Sequence, residues 1–127
     1  MQQKTSRDIG NIGENAVADF LKNNGYDVLE RNFTVRGGEI DIIAFKSGRL
    51  VFVEVKTRSS NAWISGERAV TPAKRKFLIR AAGIYYNRYK KEHGEAICRF
   101  DVAAVELENG CVKHVNYYVS AFNASGV

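Results

Sequence analysis

Two apolar runs separated by four turn-forming residues constrain this chain more than any other feature: about Glu39 to Phe45 and Leu50 to Thr57, with "KSGR" between them. Both are dense in β-branched and aromatic residues, and Ser and Gly at the junction favour a tight reversal, so the spacing predicts a β-hairpin. Side chains alternate faces along a strand. With Ser47 and Gly48 at the tip, Lys46 faces Arg49, Asp41 faces Glu54 and Glu39 faces Lys56. Facing Cβ atoms stand roughly 4.5 to 5.5 Å apart, a separation at which like charges destabilise the pair. The opposite face reads Ile40, Ile42, Ala44 and Val51, Val53, Val55, and even the charged face turns apolar toward the tip with Ile43, Leu50 and Phe52. A hairpin buried on one side and half-buried on the other is central in its sheet. An ExK triplet alone reads as a pair of solvent-face charges; a carboxylate at the matched position on the neighbouring strand is what points to a site.

Two convergent carboxylates beside a lysine suit a divalent cation. Mg²⁺ prefers oxygen ligands, keeps several waters and is commonly held by one or two carboxylates plus a substrate phosphate. Mg²⁺ or Mn²⁺ between Asp41 and Glu54 would acidify a bound water and neutralise charge on a phosphodiester, with Lys56 orienting that water or stabilising developing negative charge.

Around the hairpin, Thr5 and Asp8 have capping-box spacing, and Ile9, Ile12, Ala16, Val17, Phe20 and Leu21 recur at helical intervals. This predicts a helix from about Arg7 to Asn24. "YDVLERNFTV" carries a weaker strand signal. "RSSNAWISGERAVT" reads as a loop of a length that is uncommon unless it covers a site or stays mobile. Thr71 before Pro72 places a helix cap beside a first-turn proline, and Ala73, Phe77, Ala81, Ile84 and Tyr85 form the apolar stripe of a helix running to about Lys91, with Gly94 as its stop. "ICRFDVAAVEL" and "CVKHVNYYV" are two further strands joined by Asn109 and Gly110, a strong hairpin signal. The expected order is helix, three strands, helix, two strands: a single α/β domain over residues 1–127 with a mixed central sheet.

Composition narrows the partners. The chain is 127 residues long, 45% hydrophobic and 26% charged, the balance of a globular domain with a sizeable core. No run of about 18 apolar residues and no signal-like start is present, so a cytoplasmic protein without a membrane partner is expected. Cys98 and Cys111 have no CxxC spacing and His93 and His114 are isolated, which indicates neither a zinc site nor a redox pair. Basic residues exceed acidic ones by 19 to 14. That excess is concentrated between Pro72 and Lys91, where Lys74, Arg75, Lys76, Arg80, Arg88, Lys90 and Lys91 occur without an acidic residue. Such a segment fits phosphate neutralisation on a nucleic acid, or a solvated helix face. Lys74, in the first turn, is the member placed to reach the acids. Arg58 and Trp63 are candidates for clamping a backbone or stacking on a base; Trp63 has the alternative of plugging the sheet edge. No sequence-reading motif or glycine-rich phosphate loop occurs.

Asp41 followed by Glu54-Val55-Lys56 resembles the D…(D/E)xK signature of the restriction-endonuclease-like nuclease superfamily, and the element order resembles its common core. More closely, "GNIGENAVADFLKNNGYDVLERNF", "GGEIDIIA", "LVFVEVKTR", "AVTPAKRKFLIRAAGIYY" and "CRFDVAAVE" resemble the YraN-like family of small bacterial proteins, a group similar to Holliday-junction resolvases and tRNA-endonuclease-like domains. The likeness covers roughly residues 10 to 106. It implies Asp41 and Glu54 as ligands of Mg²⁺ or Mn²⁺, the Val55 carbonyl as a further ligand, Lys56 as catalytic lysine and Glu14 as an assisting helical glutamate; on the residues alone Glu14 equally suits a solvated position. Glu39 matches the family's GEID motif and is expected to pair with Lys56 across the strands in a supporting role. Lys74 aligns with a family lysine, and Arg75, Lys76, Arg80 and Arg58 complete the expected nucleic-acid contacts. Asp101 matches as well, but a late-strand carboxylate is expected to be a core partner, of Arg99 or a helix end. The resemblance implies a metal-dependent nuclease acting on DNA, on branched or single-stranded forms, as a homodimer by analogy with resolvases. The alternative is a nucleic-acid-binding module with the nuclease fold and no cleavage of its own.

Overall fold

In a computed structural model, residues 6–59 and 71–122 are described. They form α1 (Ser6–Asn23), β1 (Asp27–Val35), β2 (Gly38–Lys46), β3 (Arg49–Ser59), α2 (Pro72–His93), β4 (Ile97–Glu108) and β5 (Cys111–Phe122). The order matches the expectation of helix, three strands, helix, two strands. Spatial and chain order coincide in one five-stranded sheet, β1-β2-β3-β4-β5. It is mixed: β3 and β4 run parallel, and every other neighbouring pair is antiparallel. A parallel pair needs a long crossover, and α2 supplies it.

Local chemistry accounts for the elements. Ser47 and Gly48 have φ of 51° and 78°, and Asn109 and Gly110 have 53° and 78°. Two consecutive positive φ angles are those of the hairpin turn whose twist suits the flanking strands. Thr71 Oγ1 accepts the Lys74 N–H at 3.2 Å, and Pro72 follows it in the first turn. At the far end the Gly94 N–H donates to Lys90 O, and Gly94 has a φ of 83°.

The helices take opposite faces of the sheet. Val17, Ala18 and Leu21 of α1 pack with Ile42, Ala44, Val51, Val53, Ala103, Val105 and Leu107. Leu78, Ala81 and Ala82 of α2 pack with Ile43, Leu50, Phe52, Phe100 and Val102. Tyr85 is edge-on to Phe33 and Phe52, and Tyr89 stacks on Phe45, so these tyrosines serve packing.

Two expectations are corrected. Ile40 joins the α2-side cluster with Ile43, not the face of Ile42 and Ala44. Strict alternation lapses between Ile40 and Ile42, where β2 leaves the β3 ladder. Phe77, placed by periodicity in the apolar stripe of α2, is 50% exposed. A Cβ on Gly38 would stand 2.8 Å from Phe77 O and 3.0 Å from Ala81 N, so α2 rides directly on the Gly38 backbone and has no room for Phe77 beneath it. Among the described residues no helix is long and apolar enough to cross a membrane.

Candidate active site

The hairpin register is the one the turn dictates, from Lys46–Arg49 to Ile42–Val53, and the ladder ends there. At the next position a side chain replaces the backbone acceptor: Asp41 Oδ2 accepts the Val55 N–H at 2.8 Å. The strands part around that bond. Glu54 lies beside it, only 4% exposed.

Glu54 is poorly satisfied. Lys56 Nζ and Lys74 Nζ stand 3.9 and 3.7 Å from the same oxygen, Oε1, too long for hydrogen bonds. Glu54 Oε2 is buried with no hydrogen-bond partner. An unpartnered buried acceptor is costly, and more so when charged. Burial, and then the negative charge of Asp41, push the Glu54 carboxyl up to about 8, against the pull of Lys74 and Lys56. Burial also raises Asp41, with the Val55 N–H, a hydrogen bond shared with the Glu54 carboxyl and Lys74 opposing and the charge of Glu14 adding. The pair therefore binds protons tightly because burial strips water from both carboxyls and holds them side by side.

A cleft of about 820 Å³ opens beside these acids. Arg7, Asn11 and Glu14 of α1 form one wall; Glu39 and Asp41 of β2 with Val55, Lys56 and Arg58 of β3 form the other. Glu14 is buried, and its Oε1 accepts Arg31 Nε at 2.9 Å and Asn32 Nδ2 at 3.0 Å. Arg31 also donates to Asn15 Oδ1 at 2.6 Å. Glu14 reaches this place because α1 touches β3 at Gly13, where any Cβ would overlap Thr57 Oγ1. Gly13, Arg31 and Asn32 escaped sequence reasoning. The available signal was a glycine inside an otherwise regular helix, which costs about 1 kcal/mol against alanine and so calls for a packing reason.

Asp41, Glu54, Lys56, Lys74 and Glu14 are thus gathered at one end of the sheet. Glu39 behaves differently from expectation. The carboxylate paired with Lys56 is Glu54, while Glu39 is exposed and opposite Thr34 in the β1–β2 ladder. Because β2 and β3 part after Ile42–Val53, Glu39 and Lys56 are not cross-strand neighbours. Of the basic residues, Arg58 lines the cleft and Lys74 reaches Glu54. The Arg75 guanidinium instead lies 5.3 Å over the Phe122 ring. Lys76 and Arg80 line a separate hollow beside α2, and Arg80 Nε donates to Arg36 O at 2.8 Å across the β1–β2 turn. Trp63 lies outside the described residues. Asp101 is bound to Arg99, as expected of a core partner. Cys98 and Cys111 are free and exposed.

The donor set fits a hard divalent cation: two carboxylates close enough to share a proton, one with a buried oxygen that accepts no hydrogen bond, beside a cleft. Among the described residues no three His, Cys, Asp or Glu side chains form a metal-holding group. Any shell would therefore be completed by backbone carbonyl, water or substrate oxygen, as is usual for Mg²⁺.

The sequence profile of the uncharacterised protein family UPF0102 matches residues 13–105. A UPF0102 protein of Symbiobacterium thermophilum is 48% identical over 101 residues, covering 80% of this chain and 84% of its own. One from Syntrophomonas wolfei is 41% identical over 117 residues, covering 92% and 99%. Another, from Pelobacter propionicus, is 41% identical over 119 residues, covering 92% and 84%. The chain belongs to this family, the YraN-like proteins. The matched span of the family includes Glu14, Asp41, Glu54, Lys56 and Lys74.

Proposed function

We propose that the protein is a divalent-cation-dependent phosphodiesterase acting in the cytoplasm on DNA, with branched or single-stranded forms as substrates. One observation carries the reading: a buried carboxylate oxygen of Glu54 without a partner, beside Asp41 and next to an open cleft. Asp41 and Glu54 would hold Mg²⁺ or Mn²⁺, with the Val55 carbonyl contributing. The bound cation would supply an acidified water and charge neutralisation at the phosphate. Lys56, whose side chain is partly exposed in the cleft, orients the attacking water and stabilises negative charge developing on the phosphate oxygens. Lys74 approaches Glu54 from α2 and adds positive charge for the substrate phosphate. Glu14, held by Arg31 and Asn32 on one oxygen, keeps the other for a cleft water. Arg58 grips the backbone from the β3 wall.

Cleavage of a panel of DNA structures with and without Mn²⁺, comparing wild type with Glu54→Ala and Lys56→Ala, tests this. Loss of activity in both variants is expected, and equal activity in all three proteins refutes the assignment. A second reading, a binding module that does not cut, is favoured by the absence, among the described residues, of three His, Cys, Asp or Glu side chains grouped to hold a metal. It predicts salt-sensitive nucleic-acid binding that survives Glu54→Ala, with no turnover under any metal.

A further inference from the structure

Phe77 is the one large aromatic among the described residues with half its surface exposed, and it sits on the helix that carries Lys74 to the acids. Its ring borders an almost wholly apolar hollow of about 440 Å³, built from Gly37, Pro72, Ala73, Lys76 and Arg80. That volume lies within the range of roughly 300 to 1,000 Å³ typical of small-ligand sites. The exposure is imposed by the fold: Gly38 brings the β2 backbone against Phe77 O and Ala81, which forces the ring outward past the turn. Exposed aromatic surface in a position that helical periodicity assigns to the core marks a place where folding alone does not account for the residue.

Charge selects the occupant. Lys76 and Arg80 flank the ring, Lys74 stands one turn earlier, and α2 has no acidic residue before Glu92. An aromatic face framed by cations suits a nucleobase with its attached phosphates, because every base offers a π-face for stacking. Three residues of helix rise about 4.5 Å, so Phe77 stands within about one nucleotide of the lysine that reaches Glu54.

We propose that Phe77 is a stacking platform for an unpaired base next to the scissile phosphate, with Lys76 and Arg80 holding the adjoining phosphates. This rests on the nuclease reading and narrows its substrate class: the nucleic acid must carry an unpaired nucleotide beside the cut. Arg80 is already steadied by its bond to Arg36 O, which leaves its terminal nitrogens for phosphate.

The test is binding of the full chain, in EDTA, to three probes: a mixed-sequence single strand, a strand of the same length abasic at every position, and a fully paired duplex closed at both ends. Working without a cation separates this site from cleavage. Wild type is expected to bind the abasic strand more weakly than the base-bearing one. Phe77→Ala should bind the single strand about 5- to 100-fold more weakly, show no further abasic effect, and bind the closed duplex within about twofold of wild type. Phe77→Trp should retain single-strand binding. Equal losses on single strand and duplex, or no abasic effect in wild type, would overturn the platform while leaving the cleavage test standing. So would a large fall in melting temperature of Phe77→Ala without nucleic acid, since the hollow would then be filled by the protein's own chain. Failure of wild type to bind any of the probes overturns the nucleic-acid reading itself.

Discussion

Two buried acidic centres lie on adjacent strands of the same sheet and are treated in opposite ways. Asp101 on β4 is the register partner of Val53, one residue from Glu54 on β3. It is fully buried, yet every lone-pair direction is used: Arg99 Nε and Nη2 donate at 2.9 Å each, the Tyr117 hydroxyl at 2.6 Å and the Ser120 N–H at 2.8 Å. A register slip between Phe100 and Val102, with Ser120 at a φ of 53°, delivers that last donor. Arg99 also donates to the Tyr26 hydroxyl at 2.8 Å, which ties β4 to the segment joining α1 and β1. Burial and the charge of Asp101 hold the Tyr117 phenol protonated far above its ordinary range. Glu54 has no such shell. Both of its ammonium neighbours crowd one oxygen at ion-pair distance, and the other accepts no hydrogen bond. A closed acid staples the sheet; the open one is the feature on which the proposed cation site rests.

The sharpest way to break this comparison is Asp101→Ala. Removing one member of a buried pair leaves the Arg99 guanidinium without its carboxylate and the Tyr117 hydroxyl and Ser120 N–H without their acceptor, and a loss of about 3 to 5 kcal/mol is expected in urea denaturation. A loss below about 1 kcal/mol would show that Asp101 is no staple.

Glu54 should respond with the opposite sign. Its carboxyl moves from an ordinary 4.5 to about 8 on folding, so the folded state binds the proton more tightly. The stability this residue contributes is complete below about pH 4.5 and is lost as pH rises toward 8. Cation-free wild type should therefore lose roughly 2 to 4 kcal/mol over that window from this residue, and Glu54→Gln should flatten the profile. Added Mn²⁺ should restore wild type at pH 8 and leave Glu54→Gln unmoved, as read by melting temperature. A steep profile surviving in Glu54→Gln would contradict the contrast.

Gly13→Ala tests the packing that brings Glu14 to the open site. The added methyl meets Thr57 Oγ1, and a cost of about 1 to 3 kcal/mol is expected, partly rescued by Thr57→Ala. The smallest effect belongs to Arg31→Ala. That side chain is 37% exposed, so breaking its pair with Glu14 should cost at most about 1 kcal/mol of stability. Any larger drop in the proposed nuclease activity would then report the positioning of Glu14 and not folding.

Much of this arrangement was legible in the residues. The turns at Ser47-Gly48 and Asn109-Gly110 and the cap at Thr71-Pro72 follow from local stereochemistry, and they fix the hairpin register and the start of α2. Alternation from that register was enough to bring Asp41 and Glu54 to neighbouring strands at the same level. It failed from the next residue on, with Ile40 turned to the α2 side. Glu39 was assigned to Lys56 by extending the ladder, whereas the Asp41 carboxylate takes the Val55 N–H and ends it. Phe77 was misplaced for a related reason, since periodicity records which side of a helix faces the sheet but not how closely the sheet approaches it.

The sequence by itself determined the element order, the turns, the concentration of basic residues in α2 and the presence of two acids at matched depth in a hairpin, because each depends on contacts between near neighbours along the chain. Only the tertiary structure decided which acid is satisfied. Donors for Asp101 come from β4 and β5 and those for Glu14 from β1, while Glu54 receives only distant ammonium groups from β3 and α2. Solvation of a buried charge is the sum of groups arriving from every packed element, and that sum exists only once the sheet and both helices have closed around it.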